Sequence, residues 1–408
     1  MHGVRLAVRA IEDLASYKTL LVRADLNSPV QNGVVQDNQR FERHATTLQT
    51  LANQGHAVVC LTHQGRPNNS TCVSLEQHAS ILSQYIDTDV QYVNSVTADE
   101  ALTTIEEAST GDILLLENLR MHSDELPERP AGEHADSSLV RTLSTHADAY
   151  VNDAFSVAHR SHASVVGFPF HLPSAAGPVM QQEYTAASSL REHSFDGDVV
   201  LLSGGVKAED VFHVMQNVDS VVDTFLVAGV LGELFLRVDG YPVGTSINGD
   251  APYNELWNEH HTELGQFLKR RRSDIVLPTD LARRADTGRA VEQVASLNEK
   301  NHPYFDIASK TIQEFSDIIQ DAEAVFMKGA PGVFEEDIFS IGTVRILRAL
   351  ANSNAYTVVG GGDTARALQL HGFDEDSFSH VSTAGGAYIR ALTGETLPAV
   401  EALKMSDG

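Results

Sequence analysis

The 408-residue chain is poor in cysteine, lysine and tryptophan. It has two cysteines (Cys60 and Cys72), one tryptophan (Trp257), and seven lysines beside 22 arginines. Two thiols cannot build a disulfide framework or a four-cysteine metal site, and they point to a reducing interior. No run reaches the ~18 apolar residues that a membrane-spanning helix needs. The first stretch carries Arg5, Arg9, Glu12 and Asp13, with no apolar signal core and no lipidation motif. We therefore expect a cytoplasmic protein. Several chemistries also lack their motifs: there is no Gly-Lys-Ser/Thr phosphate loop, no HRD or DFG set, no HExxH and no CxxC. His159-x-x-His162 has no acidic or cysteine partner at a metal-ligand spacing.

What is abundant is negative charge. Fifty-five Asp and Glu against 29 Lys and Arg give a formal net charge of −26. Such a chain repels nucleic acid and anionic membranes, so neither is an expected partner. A large acidic excess with few lysines suits a salt-rich cytosol, where screening removes self-repulsion. The length suggests two or three domains, and 42% apolar residues supply the cores.

Short runs rich in Val, Leu or Ile alternate with amphipathic stretches of helix length. That order predicts βαβ units and an α/β fold. Candidate strands lie at 19–22, 57–61, 113–116 and 149–151, then at 199–202, 224–227, 274–277, 324–327 and 356–359, with a further one at 380–382. Between the two sets, Met180, Tyr184, Ala187 and Leu190 recur at helical spacing after Pro173 and Pro178. The fold expected is two Rossmann-like parallel-sheet domains, 1–172 and 196–380, joined by a hinge helix within 173–195. Segment 239–260 has turn residues and no clear period, and reads as loop with some short structure.

In open α/β sheets, ligands bind beyond the carboxyl ends of the strands. In the first half those ends lead into Arg23-Ala-Asp25-Leu26-Asn27, Thr62-His63-Gln64-Gly65-Arg66, Glu117-Asn118-Leu119-Arg120, and Asn152-Asp153 followed by His159-Arg160; Arg40 follows a turn expected at Asn32-Gly33. Four strands each deliver an arginine in a chain where basic residues are scarce. The planar guanidinium fork matches carboxylate and phosphate oxygens, so this edge reads as a site for a small polyanion. In the second half the strand ends are glycine-rich: Ser203-Gly204-Gly205-Val206-Lys207, Ala228-Gly229, Lys328-Gly329-Ala330-Pro331-Gly332 before Glu335, and Gly360-Gly361-Gly362-Asp363-Thr364. Glycine lets backbone N–H groups approach phosphate, and the following helix N-termini add positive potential. Asp363 is placed for a divalent cation on polyphosphate, and Glu335 for ribose hydroxyls. Gly360-x-Gly362-x-x-Ala365 is also a loose dinucleotide fingerprint. A dinucleotide-dependent oxidoreductase would, however, leave the strand-end arginines unexplained, and against a non-catalytic acidic binding protein stand Arg40, Lys207 and Asp363, all of them present. One polyanion edge and one nucleotide-phosphate edge point to phosphoryl transfer between two substrates, brought in line by closure of the two domains.

The segments RADLNSP (23–29), DNQRF (37–41), THQGRP (62–67), LLLENLRMH (114–122), YVNDAFSVAHRSHAS (150–164), GGVKAED (204–210), GAPGVFE (329–335), VVGGGDT (358–364) and HVSTAGGA (380–387) resemble, in order, the motifs of the phosphoglycerate kinase family. The resemblance implies transfer between ATP and 3-phosphoglycerate, giving ADP and 1,3-bisphosphoglycerate, with Mg2+ accompanying the nucleotide. It implies a phosphoglycerate-binding first domain onto which the tail 381–408 packs back, a nucleotide-binding second domain, and a monomer. It assigns substrate binding to Asp25, Leu26, Asn27, Arg40, His63, Gln64, Gly65, Arg66, Arg120 and Arg160. It assigns nucleotide binding to Lys207, Glu335, Gly361, Gly362, Asp363 and Thr364, the metal-linked acid to Asp363, and stabilisation of the phosphoryl group in flight to Arg40 and Lys207. The chain departs from the family pattern in four places. Val211 stands where a second lysine is usual, Lys328 where asparagine is usual, VAGVLGELF (227–235) where a glycine-rich stretch is usual, and Ala384 where a glycine is usual.

A melting curve against KCl tests the charge reading. The midpoint is expected to rise steadily into molar salt, where the Debye length falls to about 3 Å; a midpoint that salt leaves unchanged contradicts it.

Overall fold

The computed structural model describes residues 6–192, 195–243, 251–297 and 303–406. Contacts divide the chain into two units, 1–189 with 386–408 and 190–385. Strands of the first unit are β1 (Thr19–Arg23), β2 (Val30–Gln31), β3 (Val34–Val35), β4 (Ala57–Leu61), β5 (Val90–Val93), β6 (Ile113–Leu116), β7 (Ala149–Asn152) and β8 (Ser174–Ala176). Those of the second are β9 (Val199–Ser203), β10 (Thr224–Val227), β11 (Ile275–Val276), β12 (Asp280–Ala285), β13 (Gly288–Gln293), β14 (Tyr304–Ile307), β15 (Ala324–Lys328), β16 (Tyr356–Gly360) and β17 (His380–Ser382).

Each unit is built on a six-stranded sheet, in the order β5-β6-β4-β1-β7-β8 in the first and β11-β10-β9-β15-β16-β17 in the second. Every pairing within these two sheets is parallel. Helices on both faces leave the central strands buried throughout: β4, β6, β7 and β9 have no exposed position. This is why they read as continuous Val/Leu/Ile runs rather than alternating ones. In the first unit, Leu20, Val22, Val58, Cys60 and Leu115 meet Phe41, Leu48 and Leu51 of helix Gln39–Asn53 in the core. In the second, Phe267 makes edge-on or tilted ring contacts with Phe212, Phe225 and Phe235. Each such pair is worth roughly 0.5–1.5 kcal/mol beyond burial.

Helix Pro178–Glu192 follows β8. The terminal helix Pro398–Met405 lies on the first unit, where Ala399 N donates to Ala158 O at 3.1 Å and Ser406 Oγ to Ser174 O at 3.4 Å. The strand expectations for 57–61, 113–116, 224–227 and 380–382 match the observed bounds, and those for β1, β7, β9, β15 and β16 fall one residue short. The loop reading of 239–260 is corrected: helix Ala251–Arg270 occupies its second part, while 244–250 lies outside the described residues. Its buried face is sparse, with Tyr253 an isolated buried position before Leu264, Phe267 and Leu268, so no period stands out. A small antiparallel sheet, β13-β12-β14, joins the second unit.

Helix Gly229–Val238 is buried along most of its length, from Leu231 to Leu236, and this includes Glu233. Glu233 Oε2 has no hydrogen-bond partner, and burial pushes its carboxyl up to about 8. The folded-state value lies above the ordinary 4.5, so the stability gained by keeping the group neutral is full below 4.5 and is lost as pH rises through about 8. Glu233→Gln mimics the neutral acid. In high salt it is expected to raise the melting midpoint by several degrees at about pH 9 and to leave it unchanged at about pH 4. Equal effects at both would contradict the buried-acid assignment.

Candidate functional site

In the first unit the carboxyl ends of β1, β4, β6 and β7 lie at one edge, with Arg23 in register with Leu61 and Asn152. The loops that follow are tied to one another by side chains. Asn38 caps helix Gln39–Asn53 by accepting from Arg40 N, which sets Arg40 in the first turn. From there Arg40 Nη1 reaches Asp25 Oδ2 at 2.7 Å and donates to Asn27 O at 3.1 Å. Asn27 Oδ1 in turn accepts from Gly65 N at 2.9 Å, and Arg120 Nη1 donates to Gly65 O. Gly65 has φ +69, and a Cβ there would lie 2.2 Å from Thr71 O, so this turn requires glycine. Asp25, Asn27, Arg40, Gly65 and Arg120 thus form one bonded cluster.

Asp25 is buried. Burial raises its carboxyl, but Arg40, His63, His44 and the hydroxyl of Ser156 outweigh this and hold it below the usual carboxylate range. Arg120 is pushed down to about 10, first by partial burial and then by its guanidinium neighbours Arg23 and Arg160. This crowding of like charge brings Arg160 into the cluster. Arg66 is exposed beside it. A protein of net charge −26 therefore keeps a positive edge here.

Three expected ligand contacts sit differently. Leu26 is wholly buried in the core and offers only backbone. Gln64 is wholly buried: its Nε2 donates to Ser28 O and Thr71 O, and its Oε1 accepts from Ser28 N and faces His78 Nε2. It clamps the loops and has no free polar atom for a ligand. Arg23, one of the four strand-end arginines, is only 1% exposed. Its guanidinium bonds inward, so three arginines of the strand-end set, with Arg40, face the edge.

Sequence reasoning missed the support beneath Asp25. His44 Nε2 accepts from Asp25 N at 3.2 Å, and His44 Nδ1 lies 2.9 Å from Asp153 Oδ2. Asp153 Oδ1 accepts from Val179 N and Met180 N, the first amides of helix Pro178–Glu192. The Asn152-Asp153 strand end marked Asp153. Nothing in the sequence marked His44 as its partner.

In the second unit, the loops after β9, β10 and β15 meet backbone to backbone. Gly205 N donates to Ala330 O at 2.7 Å, Gly204 N to Lys328 O at 2.9 Å, and Val230 N to Gly205 O at 3.1 Å. A Cβ on Gly329 (φ +80) would fall 2.1 Å from Gly204 O, and one on Gly229 (φ +56) 2.7 Å from Gly205 N. No side chain fits between these loops. Of the two glycines in VAGVLGELF, Gly229 is the one this approach needs.

Lys207 precedes helix Ala208–Asn217, and its Nζ lies 3.7 Å from Asp363 Oδ2 in the first turn of helix Gly362–Leu370; both side chains are largely exposed. Gly361 (φ +104) turns the chain into that helix, and around Gly362 a Cβ would meet nothing within 4 Å, which leaves open space beside the helix N-terminus. Thr364 is wholly buried, accepting from Gly329 N and donating to Gly360 O, and so staples two loops. Glu335 is exposed and pairs with Arg366 Nη1 at 3.4 Å. Lys328 ends β15 in a half-buried position, whereas Val211 is buried within helix Ala208–Asn217. Ala384 is buried, its N–H donating to Ser382 Oγ.

These features define a two-unit α/β protein with a six-stranded parallel sheet in each unit, arginine-rich loops following the strands of the first and glycine-rich loops those of the second. The family model described as phosphoglycerate kinase matches residues 11–395. The phosphoglycerate kinase of Haloarcula marismortui is 48% identical over 396 residues, covering 97% of this chain and 99% of that protein. That of Halorubrum lacusprofundi is 50% identical over 403 residues, covering 98% and 99%. The crystal structure of phosphoglycerate kinase from Pyrococcus horikoshii superposes with a TM-score of 0.91 at 32% identity, covering 98% of this chain and 99% of that one. The chain belongs to the phosphoglycerate kinase family.

Proposed function

We propose that this protein catalyses reversible phosphoryl transfer between ATP and 3-phosphoglycerate, giving ADP and 1,3-bisphosphoglycerate, in glycolysis and gluconeogenesis. The observation that carries this reading is the bonded cluster of Asp25, Asn27, Arg40, Gly65 and Arg120, a positive edge on a strongly acidic protein. Its guanidinium groups suit a ligand bearing both carboxylate and phosphate. The first domain holds the phosphoglycerate through Asn27, Arg40, His63, Arg66, Arg120 and Arg160, with Asp25 holding Arg40 in place. Leu26, Gln64 and Gly65 shape the loops. The second domain holds the nucleotide through the glycine loops, Lys207, Gly361, Gly362 and Glu335, with Thr364 fixing the turn.

No general base is required, because the attacking oxygen is already ionised. The protein's work is positioning and charge neutralisation at the transferring oxygens. Arg40 and Lys207 supply that charge from the two substrate sites. Asp363 fits a magnesium ion carried on the nucleotide phosphates: it is an exposed carboxylate in a helix first turn, and one or two carboxylates with phosphate oxygens are a usual magnesium set. Among the described residues no group of three or more His, Cys, Asp or Glu is placed to hold a metal ion, so the ion would come with its nucleotide. Bound there, it would neutralise polyphosphate charge. No described helix is long and apolar enough to cross a membrane, in keeping with a cytoplasmic enzyme, and we take the working form to be a monomer.

A coupled assay for ADP formation from ATP and 3-phosphoglycerate, run in molar KCl, tests the reading; no turnover in that salt overturns it. Arg40→Met is expected to lower kcat by a hundredfold or more, at roughly 3 kcal/mol of lost transition-state stabilisation. Unchanged kcat with a raised KM would remove Arg40 from the transfer step. Lys328 supplies part of the charge absent at Val211, so Lys328→Ala is expected to weaken ADP binding about tenfold by calorimetry. Unaltered affinity and kcat would refute that compensation.

A further inference from the structure

Behind the ligand-facing edge of the first unit lies a buried polar chain with no assigned role. Arg23 closes β1, and its guanidinium is enclosed by protein. Nε donates to Ser164 Oγ at 2.9 Å, Nη1 donates to Ala24 O at 2.5 Å, and Nη2 lies 3.0 Å from His63 Nδ1. Glu125, wholly buried, stands behind it. Its Oε1 is 3.8 Å from Arg23 Nη2 and accepts from Ser164 Oγ at 2.7 Å, and its Oε2 accepts from Ser164 N at 2.9 Å.

This chain has one consistent arrangement of protons. A guanidinium carries donors only. The Ser164 hydroxyl must accept from Arg23, so its own proton goes to Glu125. Nδ1 of His63 must likewise accept, so the ring proton sits on Nε2. Neither contact can be reversed without setting two donors face to face.

We propose that Arg23, held by Glu125 and Ser164, is a positioning residue that fixes His63 as the neutral imidazole protonated at Nε2. His63 then offers the anionic substrate a hydrogen bond without adding a further charge to a crowded edge. The opposite tautomer would turn a lone pair toward an anion. An imidazolium would add another cation beside Arg40 and Arg120 and would bring a second donor against Arg23. Burial first, then Arg23, Arg120 and Arg40, hold His63 well below its ordinary value, and Asp25 opposes them. The inference rests on the reading of this edge as the phosphoglycerate site, but the tautomer is a property of the free protein and is measured without substrate.

The test is long-range 1H–15N correlation of histidine-labelled full-length protein in high KCl, with His63 assigned by its loss in His63→Gln. Wild-type His63 is expected to show a protonated Nε2 and a bare Nδ1 at about pH 7, and to keep that pattern at about pH 5.5. A protonated Nδ1, or an imidazolium at neutral pH, overturns the proposal outright. In Arg23→Met the ring is expected to exchange between tautomers and to titrate. KM for 3-phosphoglycerate should then rise about tenfold and vary with pH between about 5.5 and 7.5, with kcat changed less. Unaltered ring shifts in that variant also overturn it. Should Arg23→Met fail to fold, the wild-type spectrum still decides, and Ser164→Ala, which removes one tether of the guanidinium, is expected to show a smaller change in the same direction. If the tautomer is as stated but the protein does not turn over ATP and 3-phosphoglycerate, the functional reading fails and the proton arrangement stands.

Discussion

The first unit depends on holding several guanidinium groups close together at the end of one parallel sheet. Parallel pairing sends every strand's carboxyl end to the same edge, so Arg40, Arg120, Arg160 and the buried Arg23 cannot avoid one another. Isolated, these charges would repel by kilocalories in a half-dry setting. Two buried carboxylates offset this from beneath: Asp25 takes Arg40, and Glu125 stands behind Arg23. Removing Glu125 would leave Arg23 an uncompensated buried cation, the costly way to break such a pair, whereas Arg40 is partly open to solvent. The edge is therefore charged outward and balanced toward the core.

The second unit solves a different problem by different means. There the loops after β9, β10 and β15 bond backbone to backbone through the N–H groups of Gly204, Gly205 and Val230, at distances a Cβ would forbid. The two cations that accompany them, Lys207 and Lys328, are lysines, compact charges on flexible stems. The first unit uses planar forks. A carboxylate-and-phosphate ligand rewards fixed forks, whereas polyphosphate rewards amides and point charges.

Much of this was legible from residue order. Continuous apolar runs marked the central strands because both of their faces are covered, and the residues after them identified the edge. β5 escaped notice because Gln91 and Tyr92 interrupt its apolar pattern, and helix Ala251–Arg270 because its buried positions are too sparse to show a period. The direction of side chains was the larger gap. Leu26, Gln64 and Thr364 lie on site loops but face inward, and spacing along a loop does not say which way a residue turns. Arg23 was marked by its strand end, yet its acceptor Ser164 is 141 residues away, and no local signal tied the two together.

The helix Pro398–Met405 seals the first unit from the far end of the chain, bonding to the backbone at Ala158 and Ser174. During synthesis at roughly 5–20 residues per second, the first sheet is complete ten seconds or more before that helix leaves the ribosome. Over this interval the surface awaiting Ala399, Val400 and Leu403 stays bare. The first half of the protein can thus begin to fold early, but it covers this surface only once residues 398–405 have been made.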